Sequence, residues 1–252
     1  MGGKGVFVKE VQALVLEGRA DIAVHSGKDL PSGTPDGLVI AAVPARADAR
    51  DVLVGGRLRE LAPGAVVATG SVRRRSQLSW LRPDLTFTGL RGNIATRLAK
   101  VPDGGAIVMA GAALDRLELW DELDERGLAH EVLGADVLVP QVAQGALAVE
   151  CRTDDDVTRA ALAAIEDAGA RVAFDAERAF LAELGGDCDL PAGAHARLEG
   201  DGLVIEGLLA SLDGHTVLRT TRAGAPGDAE ELGRAVARHL LDDAGGAALL
   251  DR

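Results

Sequence analysis

Three stretches of this 252-residue chain combine residue types that could do chemistry. The first ends in Lys28 and Asp29, opposite charges side by side after Ala20-Asp21-Ile22-Ala23-Val24-His25-Ser26-Gly27. The second is Thr69-Gly70-Ser71, followed by Arg73, Arg74 and Arg75. A strand that empties through small residues into a helix makes an anion site, because free backbone N–H groups and the helix dipole point at one spot. Three cations in that first turn oppose the dipole and cost stability unless an anion binds, and such a conflict between local rule and sequence marks function. The third is Gly185-Gly186-Asp187-Cys188-Asp189, a cysteine in a glycine-rich loop between two carboxylates, open to reaction but not activated by neighbouring cations.

These residues need elements to hold them. Ile22–Val24 reads as a short buried strand, and Pro31 forbids its continuation as a central strand. Polar residues at a strand end face the crevice where open α/β sheets keep ligands; a weak surface ion pair is the plainer reading of Lys28 and Asp29. Residues 65–68 predict a strand and 72–81 a helix. From Ser71 to Lys100 there are seven Lys/Arg against one acid, Asp84, in a chain of net charge −12. That bias reads as a solvated basic face or as a pocket for a polyanionic small molecule. Other strands are expected at 38–43, from 52, and at 85–88, 106–110, 137–140, 203–208 and 217–221. Helices are expected at 6–17, 94–100, 111–117, 172–184, 228–242 and 245–250, with an acidic solvated turn at 121–126. Residues 45–50 suit a hinge, and 141–145 a second crossing that returns the chain to its first unit. This pattern of two alternating β/α blocks joined by short crossings describes a two-lobed binding protein, with a small α+β unit after about residue 165.

Composition narrows the options. Aromatics are only 2%, with no Tyr, so base-stacking platforms are improbable and the net charge repels nucleic acid. No apolar run reaches transmembrane length and no signal-peptide segment is present, which points to a cytoplasmic protein. Zinc-type Cys/His spacings are absent, and Cys151 reads as a buried thiol.

Seven stretches, in order, resemble the hydroxymethylbilane synthase (porphobilinogen deaminase) family: GGKGVFVKE (2–10), ADIAVHSGKDLP (20–31), ATGSVRRRSQL (68–78), LRGNIATRL (90–98), AIVMAGAALDRLEL (106–119), PQVAQGALAVECR (140–152) and AERAFLAELGGDCDLPAGAHA (176–196). The resemblance implies an α/β fold of two periplasmic-binding-protein-like lobes, residues 1–45 with 146–163 and residues 50–140, plus a C-terminal α+β domain at 166–252. It implies a monomeric transferase of tetrapyrrole (haem) biosynthesis that joins four porphobilinogen molecules head to tail with release of ammonia. It also implies a dipyrromethane cofactor held by a thioether to Cys188, Asp29 as the catalytic carboxylate, and no metal. Lys28, Thr69, Ser71, Arg73, Arg74, Arg91 and Arg97 match the family's cofactor-binding residues, and Arg116 and Lys4 its substrate-binding ones. A non-catalytic two-lobed protein for a carboxylated ligand, or an inactive shortened relative, is the alternative.

The chain departs from the family pattern in places. About 50 N-terminal residues of the family have no counterpart, which is expected to expose apolar surface on the first lobe. Gly27 stands for a usual Met, Gly70 for Ser, Ala143 for Gly, Asp187 for Gly and Asp189 for Gln.

Overall fold

The computed structural model of the chain describes residues 6–186 and 190–250; Lys4, Asp187, Cys188 and Asp189 lie outside them. Three sheets organise the structure. The first combines β1 (Ile22–Ser26), β2 (Leu38–Ala42) and, far along the chain, β8 (Leu147–Arg152), in the order β1-β8-β2 with β8 antiparallel to both neighbours. Helix α1 (Val6–Leu16) lies against it, packing Val15 on Ala23 and Leu38. The expectation that Ile22–Val24 is buried is corrected: Ala23 is buried, but Ile22 is 40% and Val24 54% exposed. Successive side chains on a strand face opposite ways, and β1 is an edge strand with one covered face.

The second sheet holds β3 (Asp51–Val54), β4 (Val66–Ala68), β5 (Thr86–Thr88), β6 (Ala106–Ala110) and β7 (His130–Leu133), ordered β5-β4-β6-β3-β7. β4 runs parallel to β5 and β6, and β3 antiparallel to β6 and β7. Both faces are covered. Leu53 and Val108 join one core with Val67 and Leu78, while Val52, Ile107 and Met109 join the other with Leu114. This is why β6 can be apolar at every position. The covering helices are α2 (Val72–Leu81), α3 (Ile94–Leu98), α4 (Gly111–Arg116) and α5 (Trp120–Glu125).

Two local expectations fail here. Residues 121–126 are not a solvated turn but mostly helix α5, whose Asp121 and Glu122 complement the positive end of its dipole. Residues 137–140 form no strand. The backbone of Val139 is satisfied by side chains instead: its N–H donates to Gln77 Oε1 at 2.8 Å, and its carbonyl accepts from Arg73 Nη1 at 2.6 Å and Gln77 Nε2 at 3.1 Å.

The third sheet is an antiparallel meander of β9 (Ala192–Glu199), β10 (Gly202–Ala210) and β11 (Val217–Gly224). β9 opens Ala-Gly-Ala-His-Ala, a run of low strand propensity, and is formed by pairing with β10. After α6 (Asp156–Leu162), helices α7 (Ala168–Glu183) and α8 (Ala229–Arg238) pack on this sheet, and α9 (Ala247–Leu250) is the last of the described elements. Asp167 caps α7, accepting from Ala170 N at 2.7 Å. The helices approach so closely that a Cβ on Gly233 would lie 2.0 Å from Ala176 O. Phe174 and Phe180 of α7 join one core with Leu30, Val43 and Ala146 of the first sheet's surroundings and with Leu209 and Val236.

Two segments, residues 45–50 and 141–146, run between the first and second sheets, and they are bonded to each other. Ala47 N donates to Gly145 O at 3.2 Å and Arg46 Nε to Gln144 O at 2.9 Å. Fully buried Glu177 of α7 accepts from Arg46 at 2.7 and 3.1 Å, from Ala143 N at 2.6 Å and from Ala196 N at 2.8 Å. One carboxylate thus ties both crossings to the third sheet.

Two positions where the resemblance leads one to expect other residues, Gly27 and Ala143, touch each other. A Cβ on Gly27 would lie 2.8 Å from Phe174 Cε2 and 3.0 Å from Ala143 Cβ, and Ala143 sits at φ 57°, where glycine is favoured. The methyl at 143 therefore occupies room that a side chain at 27 would need. Gly27→Ala is expected to cost about 1–3 kcal/mol by overpacking. In an Ala143→Gly background that cost should fall by about 0.5 kcal/mol or more. Urea denaturation of the double-mutant cycle checks this, and strictly additive effects would show that the contact carries no energy.

Candidate active site

The site is assembled from strand ends. β1 finishes at Ser26 and turns through a 3-10 segment, Gly27–Asp29, anchored by buried Leu30, whose N–H donates to Gly27 O at 3.3 Å. This turn presents Lys28 and Asp29. From the second sheet, β4 delivers Thr69 and Ser71. Thr69 N donates to Thr88 O at 2.9 Å, and Thr69 Oγ1 accepts from Ser71 N at 3.2 Å. Ser71 is the N-cap of α2, its hydroxyl accepting from Arg74 N. β5 leads into the turn bearing Arg91, and Asn93 caps α3, which carries Arg97. Arg97 Nε donates to Gly92 O at 2.8 Å. A Cβ at Gly70 would lie 2.7 Å from Leu90 O, so the serine expected here from the resemblance would require this turn to move.

Together these ends line a cleft of about 840 Å³, whose wall includes Lys28, Asp29, Thr69, Ser71, Arg73, Arg74, Arg75, Arg91, Arg97, Gln141 and Gln144. Eight residues that the resemblance assigns to catalysis or cofactor binding, scattered over residues 28–97, therefore line one cleft. Arg116 does not line it. Its guanidinium lies against the second crossing, with Nη2 donating to Gly145 O at 2.8 Å. Lys4 and Cys188 fall outside the described residues.

The anion that answers Arg73 and Arg74 at the helix start comes from the protein itself. Fully buried Asp51, the first residue of β3, accepts from Arg73 Nη2 at 2.8 Å, from Arg74 Nε at 3.0 Å and from Arg74 Nη2 at 2.7 Å. Arg73 also reaches Val139 O, and Arg74 Nη1 donates to Val108 O at 3.1 Å. Burial opposes ionisation of Asp51, but the two guanidinium groups outweigh it and hold the carboxyl well below the usual carboxylate range. Asp51 and Gln144 were not singled out from the sequence. A lone Asp at a strand start and a Gln in a small-residue crossing carry no local signal.

The cleft nevertheless remains strongly positive. Among the described residues its lining holds six cations, and Asp29 and the adjoining Asp51 supply two carboxylates. Among the described residues, neither Arg75 nor Arg91 pairs its guanidinium with a protein acceptor. Burial, then repulsion from Arg74, lowers the pKa of Arg97, with Asp29 pulling the other way. Burial and Arg74 likewise bring Lys28 down to about 8, against the opposing pull of Asp29 and Asp51. Crowded cations in a partly enclosed cleft are matched by a ligand with several carboxylates, which Arg can hold bidentately. Among the described residues, no cluster of His, Cys, Asp and Glu is arranged to hold a metal ion, and no helix is long and apolar enough to cross a membrane.

An α/β chain with a cationic cleft between two sheets is the class this geometry defines. Comparison with known proteins gives the family. Residues 1–160 match the model described as "Porphobilinogen deaminase, dipyromethane cofactor binding domain", and residues 172–242 that of the porphobilinogen deaminase C-terminal domain. A porphobilinogen deaminase from Roseiflexus castenholzii is 49% identical over 99% of this chain and 82% of its own length. One from Geobacillus kaustophilus is 46% identical over 100% of the chain and 81% of its own, and one from Brevibacillus brevis 43% identical over 100% and 81%. The chain belongs to the porphobilinogen deaminase family. Its dipyrromethane-binding domain includes the cleft described above.

Proposed function

We propose that the cleft is the active site of a hydroxymethylbilane synthase, which condenses four porphobilinogen molecules head to tail and releases ammonia. The observation that carries this reading is the convergence of Asp29 with six cations on one wall. The cofactor, when bound, supplies the pyrrole carbon to which the first substrate is joined. The cleft suits it, because a dipyrrole bearing acetate and propionate groups is a small polyanion, and about 840 Å³ lies in the range of sites for small molecules. Arg74, Arg91 and Arg97, with Lys28, Thr69 and Ser71, would hold those carboxylates, and Arg73, buried and bound to Asp51, Val139 O and Gln141, would add its charge from behind them. Cys188 would anchor the group covalently.

Each residue has a task set by its charge. Loss of ammonia from porphobilinogen leaves a methylene-pyrrolenine cation. Asp29, exposed at the cleft, would stabilise that charge and carry the proton at the pyrrole nitrogen. The Ser71-capped start of α2 would add backbone N–H groups toward substrate carboxylates. Arg116 would act from the second crossing, where its guanidinium donates to Gly145 O, and Lys4 would contribute to substrate binding, as its family match implies. In this reading the protein works as a cytoplasmic monomer, with neither nucleic acid nor membrane as a partner.

The test is the denatured intact mass of the purified protein, with peptide mapping. A dipyrromethane-sized addition on Cys188 is expected. Cys188→Ser should abolish it and Cys151→Ser should not, since Cys151 is fully buried in the first sheet. An unmodified mass in well-folded protein would leave a carboxylate-binding protein without this chemistry.

A further inference from the structure

Gln144 is 1% exposed, and its side chain reaches four groups from both sides of the cleft. Nε2 donates to Ala49 O at 2.7 Å and to Asp51 Oδ1 at 2.8 Å. Oε1 lies 3.4 Å from Lys28 Nζ and 3.4 Å from Arg74 Nη2. Two acceptors face the nitrogen end and two cations the oxygen end, so a flipped amide would set donors against donors. The backbone is held as well: its N–H donates to Gln141 O at 2.9 Å, and its carbonyl accepts from Arg46 Nε at 2.9 Å. The oxygen is therefore presented rigidly between an ammonium carried by the first sheet and a guanidinium carried by the second.

The lengths of the four contacts differ in a telling way. Those at the nitrogen end are short and anchor the side chain, while those at the oxygen end are long and weak. A neutral oxygen shared by two cations keeps them side by side without cancelling their charge. A carboxylate at the same position would cancel it.

Resting on the function proposed above, we infer that Gln144 is a positioning residue: its amide oxygen aligns Lys28 with Arg74 across the cleft and leaves their charge available to a substrate carboxylate. The charged groups facing Lys28 are Arg74 and Arg73 from α2, Asp51 from β3 and Asp29 from its own turn, with Gln144 the neutral member. Burial and Arg74 already bring Lys28 down to about 8, and an acceptor 3.4 Å from its ammonium favours the charged form, so losing that acceptor should lower it further.

The experiment is pH-dependent acylation of lysines in the folded protein, read by mass spectrometry, with exposed Lys9 as internal reference. In the unsubstituted chain Lys28 should react with a midpoint near pH 8, well below the usual range of lysine amines. Gln144→Met removes the oxygen and should lower the Lys28 midpoint by about half a unit or more. Gln144→Glu brings a carboxylate and should raise it by about one unit. With porphobilinogen, Gln144→Met should raise KM about 10-fold with a smaller change in kcat. A residue that serves stability alone would not move Lys28 in opposite directions. Lys28 reacting like Lys9 in the unsubstituted chain, or unmoved in whichever variant folds, overturns the inference. The acylation arm needs no turnover. If Cys188 carries no cofactor while Lys28 moves as described, the functional reading fails and the positioning role stands.

Discussion

Asp29→Ala is expected to leave the protein folded and the cofactor attachable, while elongation falls by about 10²–10³-fold, the scale for removing one group that stabilises developing charge. The fold should survive because Asp29 is exposed and the turn that presents it is held by buried Leu30 and by backbone bonding to Gly27 O. The catalytic loss follows from the surroundings. Lys28 and Arg97 lie close enough to feel the Asp29 charge, and the other charged side chains lining the cleft, among the described residues, are cations. Among the described residues, Asp29 is the one carboxylate open to the cleft that could stabilise a pyrrolenine cation formed there, since Asp51 is buried behind Arg73 and Arg74. Single-turnover kinetics with porphobilinogen, alongside intact mass, separate attachment from elongation. Full turnover by the variant would remove Asp29 from the mechanism.

Asp51→Asn should cost about 3–5 kcal/mol in stability, the range for removing one partner of a buried ion pair. The amide can still accept hydrogen bonds, but it leaves two guanidinium groups with no counter-charge, and Arg73 is 1% exposed. Urea denaturation at neutral pH measures the loss. The pH dependence gives an independent check. The folded pKa of Asp51 lies below its unfolded value of 3.8, so the native state binds this proton less readily than the unfolded chain. Its contribution is fully present above about pH 4 and is lost as pH falls toward the folded value. The stability gap between the native chain and Asp51→Asn should therefore narrow below pH 4. A gap that stays constant down to pH 2 would show that Asp51 stabilises by shape rather than by charge.

The triad of Asp51, Arg73 and Arg74 also explains how a cationic helix start is tolerated. Arginines in a first turn oppose the dipole, and a buried carboxylate from a neighbouring strand offsets that cost. The cleft therefore forms on a wall that is stable before any ligand arrives, with part of its positive charge already balanced. Gln144 extends the same network across the cleft without adding charge.

The local chemistry of the chain was legible from residue order alone. Short-range rules govern a strand that empties into Thr69-Gly70-Ser71, a capped helix with three arginines, and Lys28-Asp29 at the end of β1, and all these elements formed. The alternation that places Val52 and Leu53 in different cores also follows from strand geometry. What residue order could not decide depends on partners distant in sequence. β9 exists because β10 pairs with it, despite its small residues. Residues 137–140 stay out of the sheets because Gln77 and Arg73 take the backbone of Val139. Ile22 and Val24 are exposed because β1 is an edge, which only the order of the strands reveals. The counter-ion of Arg73 and Arg74 lies more than 20 residues away in sequence, and Gln144 meets Lys28 across 116 positions. Electrostatic and hydrogen-bond energies depend on distance in space, so the network that stabilises the cleft came into view only once the sheets were packed.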